Sequence, residues 1–137
     1  MQENRVSEAV IGAAIEVHRH LGPGLVEVIY EEALCREFSL RGLRFERQVP
    51  VPVEYKGAKL GLPLRLDLFV EDKVIVELKA KQEIIAFDRA QLLSYLRLTG
   101  ARLGLILNFH ALTMKEGVHR VANGLPPEPL IPGSFRI

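Results

Sequence analysis

The first forty residues repeat apolar side chains every three or four positions, which is the spacing of amphipathic helices. One helix is predicted over about residues 5–21, with Asn4 as its N-cap and Gly22-Pro23 as its stop. A second is predicted over about residues 24–41, ending before Gly42. Three residues at three-residue steps then share one face near the start of this second helix: Gly24, Glu27 and Tyr30.

The middle of the chain changes to the alternation of apolar and polar residues that half-buried strands have. Residues 45–55 are predicted to form such a strand. Pro50 and Pro52 place it at the edge of a sheet, because proline cannot donate a hydrogen bond to a ladder. Residues 64–80 have the pattern of two apolar strands joined by a charged turn, so they are predicted to form a hairpin.

The last part of the pattern predicts a crossover unit. A helix is predicted over residues 88–99, with Asp88 as N-cap and Gly100 as its stop, and a nearly continuous apolar strand over residues 103–109. Because a helix joins them, this strand and residues 74–80 are predicted to be parallel neighbours. A short strand at residues 115–121 follows. The fold class is therefore α/β (α+β), a mixed sheet flanked by helices.

One domain, residues 1–124, accounts for this pattern, and a tail follows at residues 125–137. The tail holds four of the eight prolines and is predicted to be extended. Its apolar residues indicate that it packs on the domain or on a partner.

Composition changes this picture little. The chain has 137 residues, is 48% apolar and 26% charged, and carries a net charge of +1, so it lacks the basic excess typical of nucleic-acid binding, although a local basic groove stays open. No apolar run approaches a membrane span, and the N-terminus lacks the apolar core of a signal peptide.

The single Cys35 excludes an internal disulfide and suggests a buried thiol in a cytoplasmic protein. His18 and His20 are interpreted as partly exposed residues, because their spacing makes a poor metal pair.

The candidate chemistry lies in the predicted hairpin, where Asp67, Glu77 and Lys79 interrupt apolar strands. Burying such groups is costly unless they pair with each other or bind a divalent metal. A three-residue loop, 71–73, would place Asp67 opposite Glu77, with their Cβ atoms roughly 5 Å apart. A two-residue loop would put them on opposite faces. Mg²⁺ would suit two close carboxylates, whereas an ordinary surface hairpin with a Glu–Lys pair is the plainer alternative.

Several motifs together resemble a known family. The order helix, strand with Asp67, strand with Glu77-Leu78-Lys79, helix and strand resembles the core of the PD-(D/E)XK nuclease superfamily. More narrowly, Gly24-Leu25-Val26-Glu27-Val28-Ile29-Tyr30 resembles the motif of the GxxExxY family, a group of small prokaryotic proteins within that superfamily. The segments 65–67, 75–80, 91–96 and 104–109 are similar to the same family, so the resemblance covers roughly residues 6–123.

The resemblance implies a nuclease that acts on DNA or RNA with Mg²⁺ or Mn²⁺ as its cofactor. It implies that Asp67 and Glu77 bind the metal, that the backbone carbonyl of Leu78 adds a ligand, and that Glu27 completes the site directly or through water. Lys79 would be the signature lysine, and Gln91 would position that lysine or the substrate. Residues near this site are further candidates for substrate contact: Arg65, Lys81, Arg89 and Tyr95.

Two other readings stay open. The chain could be a binding module that keeps the fold and binds nucleic acid or protein without turnover, which its low net charge favours. It could also be an interaction protein in which Asp67, Glu77 and Lys79 form a polar network only. If both strands of a duplex are cut, two sites are needed, so a homodimer is a further expectation.

Overall fold

The structure is a computed structural model and describes residues 2–125. The predicted tail beyond Leu125 lies outside the described residues. The helices are α1 (Glu3–Leu21), α2 (Glu27–Leu40), α3 (Ala86–Thr99) and α4 (Met114–Gly117). The strands are β1 (Phe45–Val51), β2 (Glu54–Tyr55), β3 (Ala58–Lys59), β4 (Leu64–Val70), β5 (Val74–Lys79), β6 (Leu103–Asn108) and β7 (Val118–Ala122).

Five strands form a mixed sheet in the order β1-β4-β5-β6-β7, and β2 and β3 form a separate small hairpin. Strands β5 and β6 are parallel, as the crossover predicted, and the other neighbours are antiparallel. This mixed sheet between helices confirms the predicted fold class. Within residues 2–125, each helix is too short or too polar to cross a bilayer.

The sheet buries a hydrophobic core on each face. Helices α1 and α2 cover one face, and their apolar side chains pack on alternate residues of β4, β5 and β6. Helix α3 covers the other face through Leu92 and Leu96. It packs closely, because a Cβ at Gly104 would lie only 2.8 Å from Leu92 Cδ1. These two layers fix α2 and α3 on opposite sides of the central hairpin.

The predicted helix starts are wrong by two or three residues. Helix α1 begins at Glu3 after Gln2, and Asn4 instead accepts a hydrogen bond from Arg120 on β7. Helix α2 begins at Glu27 rather than Gly24, because Gly24 has φ +99° and lies in the preceding turn. Helix α3 begins at Ala86; its N-cap is Ile85, whose backbone N–H donates to the Asp88 carboxylate.

Two predicted strands are also corrected. The strand predicted over residues 45–55 ends at Val51, and Glu54–Tyr55 pairs with Ala58–Lys59 instead. The strand predicted over residues 115–121 begins only at Val118, because residues 114–117 form the short helix α4, where the Thr113 side chain accepts the Glu116 N–H and starts a helical turn.

Buried thiol and imidazole groups lie in the α1–α2 core. Cys35 is buried, as predicted, and burial raises the pKa of its thiol to about 11. His18 is buried as well, which corrects the partly exposed assignment. Its Nε2 lies 2.8 Å from the Ala111 carbonyl oxygen, a contact that sequence spacing could not predict because 93 residues separate the pair. His20 is exposed.

Candidate functional site

The central hairpin has the predicted register. Val70 pairs with Val74 and Leu68 with Val76, so residues 71–73 form the loop. Glu71 and Asp72 adopt left-handed backbone conformations, with φ values of 54° and 53°, and Lys73 N–H donates to the Val70 carbonyl. This tight turn holds the strands together without a glycine. Continued by one residue, the same register brings Asp67 opposite Glu77.

Regular pairing between β4 and β5 stops just before these carboxylates. Asp67 N–H donates to Glu77 Oε2, and Leu78 N–H donates to Asp67 Oδ2, both at 2.9 Å. Each side chain therefore reaches the backbone of the opposite strand, where a ladder bond would otherwise be. Strand β4 meanwhile stays paired with β1 as far as Leu64. The sheet thus divides at Asp67 and Glu77, and we call this point the fork.

Strand β4 also changes face at the fork. Leu66 and Leu68 would share a face if the strand alternated regularly. Leu68 instead packs into the core under α1 and α2, whereas Leu66 packs into the core under α3. Asp67 therefore stands where the strand turns over, which places its carboxylate in the gap between β4 and β5.

The two carboxylates disfavour each other's charge. Glu77 is 6% exposed; burial, followed by the charge of Asp67, raises its pKa to about 8. Burial likewise raises the pKa of Asp67, although the Leu78 N–H acts in the opposite direction. Ionising both carboxylates at once is unfavourable, and a cation bound between them would stabilise the doubly ionised pair.

Lys79 and Glu27 surround this pair. Lys79 is the half-buried last residue of β5. Its positive charge partly opposes the rise in the pKa values of Asp67, Glu77 and Glu27. It makes no ion pair within 4 Å among residues 2–125. Glu27 begins α2 and is more exposed; partial desolvation and the charge of Asp67 raise its pKa. A free ammonium therefore stands beside three carboxylates of unequal burial.

The donor set suits a hard divalent cation. Among residues 2–125, no three His, Cys, Asp or Glu side chains are close enough to hold a metal together, so Glu27 does not complete a three-carboxylate cluster with Asp67 and Glu77. Mg²⁺ needs only one or two carboxylates, because it keeps several waters and takes substrate phosphate oxygens. The Asp67 and Glu77 carboxylates at the fork fit this requirement by themselves.

The Tyr30 side chain fixes the turn that leads to Glu27. Its hydroxyl donates to the Gly22 carbonyl and accepts the Leu25 N–H, and its ring stacks on Phe109 with centroids 4.5 Å apart. Gly24 supplies the left-handed residue inside this turn. The three predicted motif residues are therefore brought together, and Tyr30 acts as the anchor of the turn rather than in the site itself.

Helix α3 contributes Tyr95 from the opposite side. Burial, and then the charges of Glu77 and Asp67, raise the pKa of the Tyr95 phenol, so this residue faces the fork. Gln91 lies one turn earlier on the same helix and is half-buried. Both residues thus lie on α3, and the effect of the two carboxylates on the Tyr95 pKa connects only Tyr95 with the fork.

Two of the candidate phosphate contacts already have intramolecular partners. Lys81 Nζ lies 2.8 Å from Asp88 Oδ2, and Arg89 contacts His119 and the Arg120 carbonyl. Arg65 is exposed and makes no ion pair within residues 2–125. The basic residues close to the fork are therefore mostly engaged within the fold.

Sequence reasoning assigned no role to three residues near Asp67, which are Glu31, Arg47 and Gln48. Glu31 is buried on α2 and accepts hydrogen bonds from Arg47 and from Gln48 Nε2. Gln48 has φ +49° in the middle of β1, and its neighbours Arg47 and Val49 pair with Leu68 and Leu66, so it faces Asp67. The only local signal was that Glu31 follows Glu27 by one helical turn.

Comparison with known proteins identifies the family of this chain. A sequence model described as the PD-(D/E)XK nuclease superfamily matches residues 4–121. Among curated proteins, none matches this sequence. A solved structure described as "Crystal structure of SSO0001" is 13% identical in sequence, with a TM-score of 0.41. That match covers 88% of this chain and 79% of the other.

Proposed function

We propose that this chain, which belongs to the PD-(D/E)XK nuclease superfamily, hydrolyses phosphodiester bonds of nucleic acid in a metal-dependent reaction. The observation that carries the proposal is the pair of facing carboxylates at the fork, the buried Glu77 and the half-buried Asp67, with Lys79 near them. Within the superfamily we assign the chain to the GxxExxY family, because Gly24 and Tyr30 of its motif form the turn that leads into Glu27 at the start of α2.

Asp67 and Glu77 would hold Mg²⁺ or Mn²⁺, with the Leu78 carbonyl as a further ligand and Glu27 linked through water. Bound there, the cation would act as a Lewis acid that polarises a phosphoryl oxygen, and it would lower the pKa of a bound water. Lys79 would orient the attacking water and offset negative charge that develops on the phosphate. Gln91 would position Lys79 or the substrate, and Tyr95 would line the substrate side of the site.

The substrate class follows from the superfamily and is DNA or RNA. Arg65 is the exposed basic residue that we assign to phosphate contact, whereas Lys81 and Arg89 must exchange their present partners to do so. Cutting both strands of a duplex would require two sites, and a homodimer would provide them.

A second candidate is a binding module without turnover. The net charge of +1, together with basic residues held in internal contacts, favours this alternative. The two candidates differ in what they require of the fork. A nuclease needs Asp67 and Glu77 to bind a cation, whereas a binding module does not.

The test is cleavage of labelled DNA and RNA, single-stranded and duplex, in Mg²⁺, Mn²⁺ or EDTA. Wild type, Glu77→Gln and Lys79→Ala are purified in parallel to exclude a contaminating nuclease. We expect cutting only with metal and only by wild type, and a metal-induced rise in melting temperature in wild type and Lys79→Ala but not in Glu77→Gln. Equal cutting by all three proteins would refute the proposal. Nucleic-acid binding without cutting, insensitive to metal, would favour the binding module.

A further inference from the structure

The backbone of Gln48 is strained in the middle of β1, at the position opposite Asp67. A φ of +49° is disfavoured for residues with a Cβ, because the Cβ approaches the following carbonyl oxygen. The residues on either side, Arg47 and Val49, keep the regular register with Leu68 and Leu66, so the strain adds no residue and shifts no pairing. The apolar residues of β1 change face across Gln48, since Phe45 packs under α1 and α2 whereas Val49 packs under α3, as β4 does at Asp67. Strain confined to one residue beside a functional site invites a functional explanation.

Side chains on α2 and β1 hold Gln48 in this conformation. Gln48 Nε2 donates to Glu31 Oε1 at 2.8 Å. The other oxygen of Glu31 accepts from Arg47 Nε at 3.2 Å and from Arg47 Nη2 at 2.8 Å. Glu31 is 8% exposed, so this carboxylate is a fixed acceptor inside the fold.

The fixed acceptor determines how the Gln48 amide points. A carboxylate accepts hydrogen bonds only, so it selects the nitrogen of the amide and turns the oxygen away. The pairing of Arg47 with Leu68 and of Val49 with Leu66 places this amide opposite Asp67, where it acts to lower the pKa of the Asp67 carboxyl. Both carboxylate oxygens of Glu31 accept hydrogen bonds from Arg47 and Gln48, so we infer that Glu31 orients Gln48 and does not bind the metal.

We propose that Gln48 is a positioning residue that orients the Asp67 carboxylate for the cation, and that its left-handed backbone and the Glu31 carboxylate hold the amide beside Asp67. The inference rests on the proposed function, since it assumes that Asp67 and Glu77 bind a divalent metal. Partners that orient a metal ligand commonly change metal affinity 10- to 100-fold when they are removed.

The decisive variant is Gln48→Gly. Glycine adopts φ +49° without strain, so the substitution removes the amide while the fold loses nothing at the backbone. Lys56→Gly is the matched control, because Lys56 also has φ +49° but lies in the exposed turn between β2 and β3. The readout is the Mn²⁺ concentration that gives half of the maximal rise in melting temperature, measured without nucleic acid.

Without metal, we expect Lys56→Gly to melt at or above the wild-type temperature and Gln48→Gly to melt near it, because relief of the strained φ offsets the lost hydrogen bond to Glu31. Gln48→Gly should need about tenfold more Mn²⁺, whereas Lys56→Gly should keep the wild-type requirement. An unchanged requirement in Gln48→Gly would overturn the inference and leave the proposed function standing. A wild type that does not respond to Mn²⁺ at all would overturn both, so the two failures can be distinguished.

Discussion

The buried Glu77 makes the folded state sensitive to pH. Its pKa is about 8 in the fold against an ordinary value of 4.5, so without metal the native state retains a proton that the unfolded chain releases. Stability therefore falls as pH rises through this interval, because the native state binds more protons there than the unfolded state does. The raised pKa values of Asp67 and Glu27 add to the slope with the same sign.

Glu77→Gln should flatten this dependence. The amide keeps an oxygen to accept the Asp67 N–H but carries no charge, so in EDTA the variant should be more stable than wild type above about pH 8 and similar to it near pH 4.5. Urea unfolding at a series of pH values measures this difference. Parallel curves for the two proteins would mean that Glu77 is ionised throughout.

At the scale of elements, helix α4 depends on a close backbone contact. A Cβ at Gly117 would lie 2.3 Å from the carbonyl oxygen of Asn108, the last residue of β6. The Asn108 side chain in turn bonds the backbone N–H and carbonyl of Lys81, at 3.1 and 2.9 Å, just after β5. These contacts join the C-terminal ends of β5 and β6 to each other and pack α4 against the end of β6.

Gly117→Ala should destabilise the protein by about 1–3 kcal/mol, because the carbonyl oxygen cannot move away as a flexible side chain would. Gly61→Ala is the control, since a Cβ there has no atom within 4 Å and Gly61 does not need a positive φ. We expect that control to be neutral or slightly stabilising. Equal melting temperatures for the two variants would show that α4 can shift without cost.

The elements with strong local patterns were predictable from the sequence, whereas the contacts between distant elements were not. The hairpin followed from the apolar runs and the charged loop, and the parallel pairing of β5 and β6 followed from the crossover helix. The hairpin register did not follow, because a two-residue and a three-residue loop were both compatible with the sequence. The conformation of Gln48 depends on Glu31 and Arg47, which meet only when α2 packs across β1. No local pattern encodes that meeting, and the roles of Asp67, Glu77, Lys79, Glu27 and Gln91 stay predictions.

For the molecule as a whole, metal binding and proton release should be coupled. A cation at the fork must displace the proton from Glu77, so it binds more weakly where that carboxyl is protonated. Because a ligand of the native state stabilises it by mass action, Mg²⁺ or Mn²⁺ should raise the melting temperature more well above pH 8 than well below it. Thermal melts in metal and in EDTA measure this, and a shift independent of pH would place the metal elsewhere.

The strained position in β1 has a second effect, on how copies of the protein meet. Strand β1 is an outer strand of the sheet, and among residues 2–125 it pairs only with β4. A flat outer strand offers its free backbone groups to another chain and so invites aggregation. The left-handed turn at Gln48 and the missing N–H of Pro50 interrupt that row of groups two residues apart. Gln48, which lies opposite Asp67, thereby also makes the outer edge of the sheet a poorer template for pairing with another chain. Gln48→Gly should keep this effect, because glycine adopts the same left-handed backbone conformation.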